Sequence, residues 1–192
     1  MKKNSIPALL VFLLLTASVL IMVSPTFFSK DLSRIELKQD LQLDLVLSEK
    51  YDLELVFFGY AGCVDVCTPR LDDLAKWYTS IPNDTQEKVN VKFIDLSVPE
   101  DTELPATFAK AFHKDFTGVF LDESVLRIYS KAFGVYFSTS LMDENEIDHT
   151  THLYLVKRDA TGKKLRFIYT AYPFDFKQIQ SDIEELSNEQ TA

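Results

Sequence analysis

The chain has 192 residues, of which 46% are hydrophobic and 26% charged, a composition typical of one globular domain with an appendage. The formal net charge is -9 at pH 7, and an acidic surface repels phosphate backbones, which argues against nucleic-acid binding. Two cysteines are too few for a small domain whose stability depends on several disulfide bonds.

The N-terminal segment is a candidate membrane anchor. Lys2 and Lys3 precede an uncharged apolar stretch from Ile6 to Val23, which is near the lower length limit for crossing a bilayer and long for a signal-peptide core. We expect residues 1–28 to be an N-terminal anchor or signal segment, with a cleaved signal peptide and a buried core helix as alternatives. The lysines favour a cytoplasmic N-terminus. The remainder, residues 29–192, is then expected in the periplasm, held to a bacterial inner membrane by a single pass.

Predicted strands and helices alternate along the rest of the chain. Leucines at alternate positions between residues 37 and 47 predict a half-buried strand or hairpin, and the apolar run ending at Gly59 predicts a central strand covered on both faces. Further strands are predicted at 89–96, 135–137, 152–158 and 164–170, and helices at 103–112, 122–133 and 175–186. Residues 138–148 are polar and predicted to be turns. This order predicts an α/β fold with a mixed sheet flanked by helices.

The helix after the central strand is predicted from its cap and its apolar spacing. Thr68 and Pro69 are typical of an N-cap and a first helical residue, which puts Asp72 and Asp73 in the first turn. Apolar residues at helical spacing are expected to form the buried stripes of two helices: Leu71, Leu74, Ala75 and Tyr78 here, and Leu104, Phe108, Ala111 and Phe112 in the helix at 103–112.

Both cysteines lie at the predicted junction of the central strand with this helix, an arrangement typical of thioredoxin-like proteins. Cys63 and Cys67 are four positions apart, a spacing that on a regular helix leaves the Cβ atoms too distant for a disulfide. The pair must therefore lie partly in the turn before the helix if it is to oxidise. There the two sulfurs could also bind one soft metal ion, copper(I) or zinc, and the helix N-terminus favours the thiolate form. A structural disulfide, or two buried free thiols, is the alternative.

A third ligand would have to come from three histidines. His113 lies at a predicted helix end, where the helix dipole favours it without any further role. His152 begins a predicted strand, and His149 precedes it on a loop that could approach the cysteines, with Asp148 or a neighbour orienting its ring. A surface role for His149 or His152 stays open at this level.

The segment from Phe58 to Leu71 closely resembles the signature of the Sco/SenC family. Three further segments resemble family motifs in the family order: Val98–Thr102, Ala111–Gly118, and Asp148-His149-Thr150 with the strand after it. Members of that family are membrane-anchored, thioredoxin-fold (peroxiredoxin-like) copper proteins of cytochrome c oxidase assembly. The resemblance implies that Cys63, Cys67 and His149 bind a copper ion, and that residues 29–192 form a thioredoxin-like copper-binding domain.

The resemblance also implies a function. A metallochaperone of this type would deliver copper to the copper-bearing subunit of a haem-copper cytochrome oxidase, or to another copper-binding client. The main alternative is a thiol–disulfide oxidoreductase in which Cys63 and Cys67 form a redox-active dithiol that keeps the client's copper-ligand cysteines reduced. A peroxidase-like enzyme and a plain scaffold are further alternatives.

Overall fold

The computed structural model describes residues 13–16, 33–41, 50–97 and 101–189. The chain divides into two compact units, residues 1–32 and 33–192. In the first unit, residues 13–16 are helical, and the remainder of the predicted anchor lies outside the described residues. No helix within the described ranges combines enough length with enough apolar character to traverse a bilayer.

The second unit contains eight strands and five helices in its described residues. The strands are β1 (Arg34–Leu41), β2 (Leu53–Gly59), β3 (Val89–Asp95), β4 (Thr117–Val119), β5 (Phe137–Thr139), β6 (Ile147–His149), β7 (Leu153–Asp159) and β8 (Gly162–Tyr169). The helices are α1 (Cys67–Ser80), α2 (Asn83–Gln86), α3 (Leu104–Phe112), α4 (Glu123–Phe133) and α5 (Phe176–Asn188).

Six strands form a mixed sheet in the order β1-β8-β7-β2-β3-β4, and β5 and β6 form a separate two-stranded sheet. The central strand β2 pairs in parallel with β3 and antiparallel with β7. Every residue of β2 and β3 is buried, as the continuous apolar run before Gly59 predicts for a strand covered on both faces. This confirms the predicted α/β, thioredoxin-like fold with a mixed sheet and flanking helices.

The two faces of the sheet carry separate hydrophobic cores. Alternate residues of β2 divide between them: Phe57 packs with α1, α3 and α5, whereas Phe58 packs with α4. Both cysteines belong to the first core. The second unit therefore has three layers, with the sheet between two layers of helices. Cys63 and Cys67 lie where the chain passes from β2 into one of these helical layers.

The predicted helix and strand boundaries need several corrections. Helix α1 begins at Cys67, one residue before the predicted N-cap Thr68, so Asp72 and Asp73 fall beyond the first turn. In α3 the buried residues are Pro105 and Ala109. Phe108 and Phe112 of the predicted stripe pack against the core, whereas Leu104 and Ala111 are exposed. The helix therefore turns the face around Ala109 to the core, rather than the face that the apolar spacing predicts. Helix α4 agrees with prediction: Asp122 is its N-cap, and Gly134 ends it in the left-handed conformation.

The segment from 135 to 149 differs most from the prediction. The expected strand at 135–137 begins only at Phe137, and the expected polar turn region contains most of β5 and most of β6. His149 pairs with Phe137 at the open end of this hairpin. In β1, Leu41 is buried as expected, whereas Leu43, Leu45 and Leu47 lie outside the described residues.

Candidate metal centre

The site lies at the carboxyl end of β2, where the chain turns into α1. Gly62 has a φ of 97°, which lets the chain turn sharply after Ala61. The Cys63 amide donates to the carbonyl of Tyr60 at 3.2 Å and closes this turn. Cys63 therefore lies in the turn before the helix and Cys67 is the first helical residue, as the four-residue spacing requires for any joint chemistry of the sulfurs.

Cys63 also caps the helix that follows it. Its Sγ accepts from the Cys67 amide at 3.3 Å, and its carbonyl accepts from the Thr68 amide at 3.2 Å. Helix α1 has no side-chain hydrogen bond from its N-cap residue, Val66. The sulfur thus occupies the place of a capping oxygen, where the unpaired amides of a helix start stabilise negative charge.

Both cysteines are free thiols and both are buried. A hydrogen bond from the Cys67 thiol, helped by His149 and by the Cys67 amide, holds the pKa of Cys63 well below its usual value although burial opposes this shift. The same hydrogen bond, together with burial, raises the pKa of Cys67. The reduced pair therefore holds one proton on Cys67 and presents Cys63 as a thiolate, the form that binds metals and attacks disulfides.

His149 approaches the pair from β6. Its Nε2 lies 3.6 Å from the Sγ of Cys67. Its Nδ1 lies 3.0 Å from the carbonyl oxygen of Thr150, which can only accept, so Nδ1 carries a proton and Nε2 is the nitrogen directed at the sulfurs. The carbonyl of Thr150 orients the ring, rather than Asp148.

The three donor atoms lie close enough to share one ion. The two sulfurs and an imidazole nitrogen of His149 all lie within 4.8 Å of one another. Two thiolates and one imidazole are soft or borderline donors, which suit copper(I) and zinc rather than magnesium or calcium. No carboxylate in the described part of the chain joins this group, and Asp65 between the cysteines is exposed.

The other two histidines lie apart from this group. His113 follows α3, and its Nδ1 accepts from the amide of Asp115 at 3.2 Å. His152 precedes β7, and burial lowers its pKa. The structure therefore separates the three histidines as the resemblance implies, and it joins only His149 to the cysteines.

Sequence reasoning missed two residues around the site. Asp95, fully buried at the end of β3, accepts from the Ala61 amide at 3.2 Å and from the Ser97 amide and hydroxyl at 2.8 and 2.6 Å, so it fixes the turn before Cys63. The Tyr60 ring meets the His149 ring edge to face, with centroids 6.0 Å apart. A carboxylate at the end of a buried strand was a usable signal for Asp95, whereas the contact of Tyr60 depends on the distant hairpin.

This fold and this site together define a class of thioredoxin-like thiol proteins that can hold a soft metal ion. The SCO1/SenC family model matches residues 50–187, and the chain belongs to that family. The SCO2-like protein of Rickettsia conorii is 27% identical over 125 residues, which are 62% of this chain and 60% of that protein. The chain therefore aligns with about 60% of the length of this curated relative.

Two solved structures show similarity in both fold and sequence. Apo Sco1 from Thermus thermophilus is 25% identical, with a TM-score of 0.61 over 82% of this chain and 95% of that one. ScoI of Bradyrhizobium japonicum, solved with copper bound, is 25% identical, with a TM-score of 0.56 over 71% of this chain and 86% of that one.

Proposed function

We propose that this protein is a copper metallochaperone that delivers copper to, or matures the copper site of, the copper-bearing subunit of a haem-copper cytochrome oxidase. The observation that carries the proposal is the convergence of Cys63, Cys67 and His149, whose donor atoms lie within 4.8 Å of one another. Family membership supports the choice of copper, since the Bradyrhizobium japonicum relative holds copper.

The donor set suits a cargo ion that must leave again. Copper(I) is stable with two or three soft ligands, whereas structural zinc sites have four protein ligands. The described residues supply three ligands. A low-coordinate ion leaves room for an incoming sulfur, so a client's ligands can replace the chaperone's ligands one at a time.

The structure supports an order of events. Cys63 is already a thiolate, and it keeps 5% exposure whereas Cys67 keeps none, which supports Cys63 as the first protein ligand for incoming copper. Cys67 then releases its proton as it binds, because a thiol must lose its proton to become a full ligand. His149 completes the site through Nε2. Transfer reverses this order, with no change in the oxidation state of the metal.

Copper titration of the reduced full-length protein tests this function. We expect one copper per chain, and a large loss of affinity in each of the variants Cys63→Ser, Cys67→Ser and His149→Ala. His152→Gln is the matched control, because it removes a neighbouring histidine that lies outside the donor group. Full affinity in His149→Ala would remove the imidazole from the site.

A thiol–disulfide oxidoreductase is the second candidate, and the low pKa of Cys63 favours it. The Cys63 thiolate would attack a client disulfide and expel one client thiolate. Cys67, after losing its proton, would then attack the mixed disulfide, which releases the reduced client and leaves a Cys63–Cys67 disulfide. A thiol reductant must restore the dithiol. If His149→Ala still supports oxidase assembly in cells while both cysteine variants fail, reduction rather than copper transfer is the function.

We also propose that residues 1–28 anchor the protein in a bacterial inner membrane, with the copper-binding domain in the periplasm. Lys2 and Lys3 before an uncharged apolar stretch support this orientation. Protease added to spheroplasts should degrade the domain, and alkaline carbonate should leave the chain in the membrane fraction. A domain protected in intact spheroplasts would contradict this topology.

A further inference from the structure

The hairpin of β5 and β6 has a regular hydrogen-bond pattern that changes at its open end. Antiparallel strands exchange backbone hydrogen bonds at every second pair of facing residues. Near the tip, the Ser140 amide donates to the carbonyl of Glu146 at 2.8 Å, and at the open end the Thr150 amide donates to the carbonyl of Tyr136 at 2.9 Å. A regular ladder would return this last bond, from the Tyr136 amide to the carbonyl of Thr150.

The Tyr136 amide has a different acceptor in this structure. It donates to the side-chain oxygen Oγ1 of Thr150 at 3.0 Å. The hydroxyl of Thr150 therefore occupies the place that the carbonyl of the same residue has in a regular ladder, since threonine side chains can compete with the backbone for such bonds. Strand β6 accordingly ends one residue earlier, at His149.

The carbonyl that leaves the ladder is the one that orients His149. It lies 3.0 Å from Nδ1 of the ring. In a regular ladder a carbonyl points along the sheet to the partner strand, whereas side chains project from the faces of the sheet. The carbonyl of Thr150 is free to turn toward the ring because its own hydroxyl serves the Tyr136 amide.

We propose that Thr150 is the positioning residue of His149: its hydroxyl replaces its carbonyl in the strand pairing, and the released carbonyl fixes the ring. With Nδ1 held in this way, Nε2 is directed at the sulfur of Cys67, 3.6 Å away. The proposal rests on the proposed function for its copper readout alone. Loss of a group that holds the second nitrogen of a ligating histidine commonly lowers metal affinity about 10- to 100-fold.

Three substitutions isolate the hydroxyl. Thr150→Val keeps the branched shape and removes the hydroxyl, so we expect the Tyr136 amide to pair with the carbonyl of residue 150 and draw it away from the ring. Thr150→Ser keeps a hydroxyl and should behave as the wild type. Thr151→Val is the matched control, because it makes the same change at the next residue, whose hydroxyl takes no part in these bonds.

The ring of His149 reports on the proposal without any metal. Nitrogen-15 labelling of histidine gives three ring spectra in the reduced, metal-free, full-length protein, and His149→Ala assigns one of them. We expect a slowly exchanging Nδ1 proton in the wild type, Thr150→Ser and Thr151→Val, and its loss in Thr150→Val. The free energy of unfolding should be similar in the two valine variants, because the Tyr136 amide keeps an acceptor.

Copper binding gives the second readout. We expect the affinity of Thr150→Val to fall about 10- to 100-fold, and that of Thr150→Ser and Thr151→Val to match the wild type. In the copper(II) form, the nitrogen hyperfine pattern of His149 should weaken in electron paramagnetic resonance spectra of Thr150→Val alone. Wild-type affinity in Thr150→Val would overturn the proposal.

The ring spectra separate this proposal from the proposed function. If the wild type binds no copper, the proposed function fails, and the spectra still decide the role of Thr150. A wild-type His149 spectrum in Thr150→Val would overturn that role, as would loss of the Nδ1 proton in Thr150→Ser. A much larger loss of stability in Thr150→Val than in Thr151→Val would also overturn it, because the hydroxyl would then support the fold rather than the ring.

Discussion

A Cβ atom on Gly59 would lie 2.6 Å from the Sγ atom of Cys67. The same atom would lie 3.0 Å from the ring of Phe93, and both neighbours are buried. The carboxyl end of the central strand thus packs directly on the sulfur, and only a residue without a side chain leaves the room that Cys67 occupies. This contact limits how closely the Sγ atom of Cys67 can approach the end of β2.

We predict that Gly59→Ala displaces Cys67 and lowers both stability and copper affinity. Overpacking of a filled core commonly costs about 1–3 kcal/mol of the free energy of unfolding. Chemical denaturation measures the loss, and copper titration measures the effect on the site. Cys67→Ala removes the sulfur, so the cost of Gly59→Ala should shrink in the double variant. An equal cost in both backgrounds would show that the contact with the sulfur does not matter.

The pKa of Cys63 gives a prediction that needs no metal. Because its pKa is held well below the usual value for a thiol, the reduced protein should keep one thiolate through neutral and mildly acidic pH and lose it only in stronger acid. The ultraviolet absorption of the thiolate, followed during an acid titration, measures this change. In Cys67→Ala the donor thiol is absent, so the transition should move toward higher pH. A wild-type transition close to pH 9 would contradict the assigned hydrogen bond.

Asp95 should act on the site through the turn that it holds. Asp95→Ala leaves the half-buried amides of Ala61 and Ser97 without their acceptor, and the loss of such a hydrogen bond costs about 1 kcal/mol. We expect a lower free energy of unfolding and faster hydrogen exchange at the Ala61 amide. Asp84→Ala on exposed helix α2 is the control and should alter neither. Wild-type exchange at Ala61 would show that Asp95 does not fix the turn.

The lowered pKa of Glu189 makes the stability of the fold depend on pH. Hydrogen bonds from Arg166 at 2.7 Å and Lys157 at 2.9 Å, whose side chains are each 5% exposed, lower the pKa of Glu189 from 4.5 to about 2. A lowered pKa stabilises the fold above pH 4.5, and this contribution disappears as the pH falls toward 2.

Glu189→Gln should therefore lower stability at neutral pH and flatten the loss between pH 4.5 and 2. The side chain of Glu189 is 37% exposed, so solvent screening reduces the expected cost to about 2 kcal/mol rather than the full cost of breaking a buried pair. Thermal unfolding at a series of pH values measures both effects. Parallel stability curves for the variant and the wild type would contradict the assignment.

Long apolar patterns made most of the fold predictable. The buried run in β2 and the helical spacing in α1 and α5 are each long enough to reveal their period, so the sheet and its covering helices follow from the sequence. Strands β5 and β6 have three residues each, which is too short for a period, and they were predicted mainly as polar turns. The start of α1 was misplaced because a sulfur, rather than the hydroxyl of Thr68, caps the first helical amide.

The sequence predicts that Cys63, Cys67 and His149 converge, but it does not predict the contacts that support them. Spacing and resemblance single out Cys63, Cys67 and His149, whereas the orientation of His149 depends on the carbonyl of Thr150. A backbone carbonyl carries no signature in the sequence. The contact of Tyr60 with His149 likewise joins segments far apart in the chain, so only the folded structure shows it.

X-ray absorption spectroscopy of the copper-loaded, reduced protein tests the central claim most directly. The account predicts a first shell of two sulfurs and one imidazole nitrogen, and the loss of the nitrogen scatterer in His149→Ala but not in His152→Gln. A first shell without two sulfurs, or an imidazole signal that persists in His149→Ala, would contradict it.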